Sequence, residues 1–134
     1  MDQDGRRNAP GRRSRVLAES SPMSQTPIDT DHLARQTGGD HALERELLTL
    51  FAQQCVAHLR TIHASADPKV RIDAAHTLKG AARAIGAWQV AEAANVIETS
   101  LTATDLRRAE AAMDALALAA AEARAAIHRF DCAA

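Results

Sequence analysis

His76 is followed by cations three and seven residues later, Lys79 and Arg83. On a helix, residues at these spacings lie one and two turns above the histidine on the same face. A neutral imidazole has a nucleophilic nitrogen near pH 7, and a lysine ammonium beside it can neutralise the oxygens of a phosphoryl group. Arg83 could do the same from a greater distance. The spacing therefore indicates a face on which His76 could accept a phosphoryl group.

The helix that carries His76 can be oriented from its apolar positions. At about 100° per residue, one arc of the segment 69–85 collects the predicted buried stripe: Val70, Ala74, Thr77, Leu78, Ala81 and Ile85. His76 lies on roughly the opposite side, so we expect its ring to be exposed. The same outward arc contains Lys69, Ile72, Lys79, Gly80 and Arg83.

Two residues of this outward arc are unusual for such a position. A glycine inside a helix costs about 1 kcal/mol relative to alanine. Gly80 therefore indicates a need for bare backbone, either for the close approach of a partner or for packing against another helix. Ile72 is apolar yet predicted to point outward, where it would give a partner an apolar contact beside the histidine.

The composition predicts an all-α fold around this helix. Aromatic residues make up 2% of the chain, tyrosine is absent, and alanine is very frequent after residue 81. Alanine is the best helix former, and the residues that favour strands are scarce.

Capping residues and apolar spacing divide the chain into a short helix and four longer ones. The predicted segments are 29–36, 40–65, 68–85, 88–101, and a last helix capped by Thr104 or Asp105. Because the loops between the longer helices are short, neighbours should be antiparallel and form an up-down-up-down four-helix bundle. The short first helix should cover one end of the bundle, and Trp88 should fill the core at the start of the fourth segment.

The rest of the sequence indicates the extent of the folded domain and the cellular environment that it fits. Residues 1–27 hold three of the four prolines and many polar residues, so we predict a disordered tail, with the folded domain at 28–131. A net charge of −1 argues against a general nucleic-acid binder, and no window reaches the roughly 18 apolar residues of a membrane span. Cys55 and Cys132 are far apart, which fits a reducing cytoplasm, and no zinc-ligand spacing occurs. A monomer is the default expectation.

The segment His76–Gly86, HTLKGAARAIG, resembles the signature of histidine-phosphotransfer (HPt) domains, which hold His, Leu, Lys, Gly and a later Gly in these relative places. The stretches 38–51 and 91–98 also look like the entry to the second helix and the fourth helix of that family. The resemblance covers about residues 28–130. It implies that His76 is the phosphoacceptor, that Lys79 contacts the phosphoryl oxygens and that Gly80 leaves space for a partner. It also implies that Glu98 orients the imidazole through its inner nitrogen, whereas Arg83 occupies a more variable position.

The resemblance further implies a carrier that exchanges the phosphoryl group with an aspartate of response-regulator receiver domains, with a hybrid histidine kinase as a further candidate partner. The carrier would bind no cofactor stably, because Mg²⁺ would come from the receiver. The sequence has no nucleotide-binding glycine loop, so we expect no ATP-dependent kinase activity of its own. The cations Lys69, Lys79 and Arg83 would favour the acidic mouth of a receiver.

Three alternatives remain at this point. A non-catalytic bundle could bind a receiver or a kinase through the same face without carrying phosphate. A di-iron bundle would need Glu-x-x-His pairs, and no glutamate here has a histidine three residues later. A phosphotransfer domain detached from a chemotaxis-type kinase would use similar chemistry with a different donor. The other five histidines lack the cation-and-glycine setting of His76, and we expect them to be ordinary surface or helix-end residues.

Overall fold

A computed structural model describes residues 26–133, and its helices account for nearly all of that range. They are α1 (Thr30–Thr37), α2 (His41–Ala64), α3 (Pro68–Ile85), α4 (Trp88–Thr102) and α5 (Leu106–Ala133). The described range contains no strand, which confirms the all-α prediction. The predicted tail lies outside the described residues except for its last two positions, so the boundary at residue 28 stays a prediction. None of the described helices is long and apolar enough to cross a bilayer.

Aspartate side chains begin the helices where the sequence predicted them. Asp40 accepts a hydrogen bond from the Leu43 N–H at 3.1 Å, and Asp67 accepts one from Lys69 at 3.0 Å. These bonds satisfy backbone donors that the first turn of a helix leaves without a partner. For α5 the sequence left two candidates, and the structure selects Asp105, whose carboxylate accepts from the backbone N–H of the third helical residue at 3.1 Å.

The four long helices form a closed ring of neighbours. α2 packs on α3, α3 on α4 and α4 on α5, and α5 returns to α2, while α1 lies against α2 and α3 at one end. This is the predicted up-down bundle with a short additional helix. Its centre contains large apolar side chains from every helix: Leu33, Leu48, Phe51, Ile62, Leu78, Val90, Ile97 and Leu116. Buried alanines between them allow the helix backbones to approach closely.

The orientation predicted for α3 is correct for His76, Gly80 and Arg83, which are exposed, and partly wrong for its buried side. Ala74, Leu78 and Ile85 are buried as expected, but Val70 is 41% exposed and Thr77 is exposed as well. Ala75 and Ala82 are buried in the core instead of Val70 and Thr77. The reason is that α3 packs between α2 and α4, and the contact between close helices requires small side chains rather than the bulkiest apolar ones.

Trp88 is not the core residue that the sequence predicted. Its side chain is 38% exposed, its indole Nε1–H donates to Asp29 Oδ2 at 3.0 Å, and its ring meets the edge of His32 with centroids 4.9 Å apart. The Trp88 hydrogen bond, followed by that of the His32 backbone N–H, lowers the pKa of Asp29. A tryptophan whose N–H needs a partner is more stable at this edge than in the core. Trp88 therefore fastens α1 to the start of α4.

Gly86 is required at the end of α3, whereas Gly80 is not required for folding. Gly86 has φ +86°, and a Cβ there would lie 3.0 Å from both the Cβ and the carbonyl oxygen of Asp29. We expect Gly86→Ala to lower the free energy of unfolding by at least about 1–2 kcal/mol because of the left-handed backbone alone. A Cβ at Gly80 meets nothing within 4 Å, so Gly80→Ala should raise stability by up to about 1 kcal/mol. Urea denaturation followed by circular dichroism measures both, and equal effects of the two substitutions would contradict this assignment.

Candidate functional site

His76 lies on the outer face of α3, and its side chain is 66% exposed. Its Nδ1 lies 2.9 Å from Oε2 of Glu98, which is on the neighbouring helix α4. The opposite ring nitrogen, Nε2, points away from this contact because the two nitrogens lie on different sides of the imidazole. The packing of α3 against α4 thus fixes one nitrogen and leaves the other directed outward.

Glu98 contacts two functional side chains at once. Its Oε1 lies 2.7 Å from Lys79 Nζ, while its Oε2 bonds His76. The Lys79 hydrogen bond chiefly, and the His76 hydrogen bond after it, lower the pKa of Glu98 against an opposing effect of partial burial. Glu98 is therefore a carboxylate at neutral pH, bridging the imidazole and the ammonium.

The ionisation of Glu98 determines the tautomer of His76. A carboxylate can only accept hydrogen bonds, so the proton of a neutral imidazole must be on Nδ1. The lone pair then belongs to Nε2, the outward nitrogen. This arrangement supplies a positioned nucleophile without a separate general base.

Lys79 is held more closely than the sequence suggested. Its side chain is only 14% exposed, and its Nζ donates to Asn95 Oδ1 at 3.3 Å in addition to its ion pair with Glu98. Asn95 is a residue that the sequence analysis missed. The available signal was its place one turn before Glu98, on the same face of α4.

The remaining predicted residues of the outward arc divide into exposed and covered ones. Gly80 and Arg83 are exposed, and open space around Gly80 excludes the alternative of a packing glycine. Lys69 is exposed, and its Nζ lies 3.5 Å from Asp73 Oδ2. Ile72 is half-buried against the core, which corrects the prediction of an outward apolar contact. Ile72 lies two turns before Lys79 on α3 and packs against the core cluster.

The other potential nucleophiles and ligands within residues 26–133 include a buried cysteine and histidines near helix ends. Burial raises the pKa of the Cys55 thiol to about 12, so this cysteine stays protonated and unreactive. His41 contacts Glu44, and His32 contacts the Ala84 carbonyl oxygen, each close to the end of a helix. Within residues 26–133, no cluster of three or more His, Cys, Asp or Glu side chains could hold a metal ion.

Comparisons with known proteins relate this chain to a protein family. The family model of the Hpt domain matches residues 46–126. Histidine-containing phosphotransfer protein B from Pseudomonas aeruginosa PAO1 has a similar structure, with a TM-score of 0.72 and 24% identity, covering 78% of this chain and 94% of that one. A putative histidine-containing phosphotransfer protein from rice gives a TM-score of 0.68 and 17% identity, covering 92% and 93%. A search of curated proteins found no match.

The two structural matches establish a shared helical-bundle fold, and the family model covers more than half of the chain. This chain therefore belongs to the Hpt domain family. Its function class is histidine phosphotransfer in two-component phosphorelays.

Glu98→Gln should remove the tautomer preference of His76. A glutamine amide can accept from Nδ1–H or donate to a bare Nδ1, so neither tautomer is imposed. We expect ¹⁵N chemical shifts of the His76 ring to show a strong Nδ1–H form in the wild type and a mixture of tautomers in the variant. Glu92→Gln, which removes an exposed carboxylate from the same helix, is the control. An unchanged His76 spectrum in Glu98→Gln would contradict the tautomer assignment.

The lowered pKa of Glu98 also predicts a pH-dependent contribution to stability. Because the folded state binds the Glu98 proton less tightly than the unfolded state, its ionised form stabilises the fold above the ordinary pKa of 4.5. That contribution is lost as the pH falls below 4.5 and through the lower pKa that Glu98 has in the folded state. The difference in unfolding free energy between wild type and Glu98→Gln should therefore shrink on acidification. Urea denaturation measured at several pH values from 7 to about 3, which spans the ordinary carboxyl pKa, would test this, and a difference that does not shrink toward the acid end would refute it.

Proposed function

We propose that His76 carries a phosphoryl group on Nε2 and exchanges it with an aspartate of response-regulator receiver domains. The observation that supports this most directly is the hydrogen bond between His76 Nδ1 and the Glu98 carboxylate. It leaves the lone pair on the exposed nitrogen of an exposed side chain, where a partner can reach it. A histidine kept only for binding would not need its tautomer fixed.

The transfer step follows from this geometry. Nε2 attacks the phosphorus of the receiver's aspartyl phosphate, so an N–P bond forms as the O–P bond to aspartate breaks and the electron pair returns to the carboxylate. The Nδ1 proton stays on the ring, which becomes positively charged. Glu98 stabilises that charge through the hydrogen bond it already makes. The reverse step returns the phosphoryl group to an aspartate, since the same atoms are in place.

The other residues of the face have separate roles in this proposal. Lys79 neutralises phosphoryl oxygens as a point charge held next to Glu98. Gly80, one turn above His76 and open to solvent, lets the receiver backbone come close to the helix. The exposed Arg83 and Lys69 add positive charge that assists encounter with the acidic site of a receiver and orients it.

The catalytic parts are divided between two proteins. Phosphoryl transfer depends mainly on in-line positioning and charge neutralisation. This chain supplies the nucleophile and one cation, and we assign the aspartate and the Mg²⁺ to the receiver. A hybrid histidine kinase would act as a partner through a receiver domain of its own.

Incubation with a ³²P-labelled phosphoreceiver and Mg²⁺ should label the purified protein on His76. The label should be acid-labile and alkali-stable, as expected for a phosphorus–nitrogen bond, and absent from His76→Gln. Lys79→Ala should slow the transfer by at least about tenfold, since it removes a charge that acts on the transition state.

Two controls make the labelling experiment decisive. ATP alone should give no label, and labelling by ATP would reveal a kinase activity that this proposal denies. If several phosphoreceivers fail to label a wild-type protein whose circular dichroism shows the folded bundle, the carrier role is wrong. The non-catalytic scaffold that binds a receiver or kinase would then replace it.

A further inference from the structure

We propose that Asn95 is a positioning residue for phosphoryl transfer and acts through Lys79. Its amide oxygen and the Glu98 carboxylate form an ammonium site on α4, defined by Asn95 Oδ1 and Glu98 Oε1, that holds Lys79 Nζ beside His76. This inference rests on the proposed function, because a positioned cation matters only if a phosphoryl group arrives at His76.

The ammonium site gives the lysine two contacts, one ionic and one a hydrogen bond. Nζ forms an ion pair with Glu98 Oε1 at 2.7 Å and donates a hydrogen bond to Asn95 Oδ1 at 3.3 Å, and the Lys79 side chain is largely withdrawn from solvent. The two acceptors lie one turn apart on α4, and Lys79 lies one turn above His76 on α3. Because an ammonium carries three hydrogens, at least one remains for a phosphoryl oxygen. Two fixed contacts restrict the long, flexible lysine side chain far more than one contact would.

The chemical type of the second acceptor also matters. Glu98 alone would hold the ammonium, but it also bonds His76 and shares its charge between both partners. A second carboxylate at position 95 would hold Lys79 as well, yet its charge would oppose the incoming phosphoryl group. The neutral amide of Asn95 adds a contact without adding negative charge. Asn95 thus keeps the lysine in place and leaves its positive charge effective.

The test is a double-mutant cycle on transfer from a phosphoreceiver at saturating concentration. We expect Asn95→Ala to lower the single-turnover rate constant by about fivefold, the effect of one hydrogen bond of ordinary strength. The half-saturating receiver concentration should not change, because Asn95 is half-buried between the helices. In a Lys79→Ala background, Asn95→Ala should have no further effect, since its action requires the lysine. Losses that multiply in the double variant would overturn the proposal.

A spectroscopic measurement separates this role from a structural one. The ¹⁵N tautomer spectrum of His76 should be the same in Asn95→Ala and in the wild type, because Glu98 Oε2 still holds Nδ1. The NMR signal of the Lys79 ammonium should lose its protection from solvent exchange. A protected Lys79 ammonium, or a disturbed His76 tautomer, in Asn95→Ala would overturn the assignment. Asn95→Ser removes the same amide and replaces the alanine variant if that variant does not fold.

Controls distinguish the failure of this inference from the failure of the proposed function. Glu92→Gln, on an exposed part of α4, should transfer at the wild-type rate. A folded wild-type protein that accepts no phosphoryl group would defeat the carrier role itself. A wild-type protein that accepts it normally, together with an Asn95→Ala variant of unchanged rate, would defeat only the role of Asn95.

Discussion

The bond between the Glu98 carboxylate and the His76 imidazole is the interaction on which the arrangement of the site depends. It joins α4 to α3 across the surface of the bundle and sets which ring nitrogen carries the proton. Because the same carboxylate also holds Lys79, one side chain fixes the nucleophile and the cation together. The lysine and the histidine lower the pKa of that carboxylate, so Glu98 stays ionised while it holds both side chains.

The fold serves this arrangement by keeping two helices in a fixed register. α3 and α4 are joined by a tight connection at Gly86, whose left-handed backbone allows the chain to reverse beside Asp29. Buried alanines on both helices let their backbones approach. Side chains as short as Glu98 and Asn95 can then reach groups on α3. The hydrogen bond from Trp88 Nε1–H to Asp29 fastens the short first helix over the same end.

Errors in the sequence-based orientation of α3 have a common physical cause. The helical wheel treats a helix as having one apolar stripe, but α3 has neighbours on two sides. Ile72 packs against the core, whereas Val70 remains exposed although it is apolar. Burial in a close-packed helix pair follows the shape of the contact, and the small Ala75 and Ala82 fit where larger residues would not. The exposure of His76 was predictable because a residue opposite the core stays exposed even when the predicted rotation of the helix about its axis is slightly wrong.

The sequence by itself determined the helical class, the helix boundaries and the position of His76, since caps, glycines and residue spacing act locally along the chain. The HTLKGAARAIG segment is also specific enough to indicate the family from the sequence. Only the tertiary structure decided what surrounds the histidine. The shared carboxylate, the half-buried lysine and the contribution of Asn95 depend on the rotation and register of α4 against α3. Those quantities are fixed by packing across the whole bundle, and no spacing within one helix specifies them.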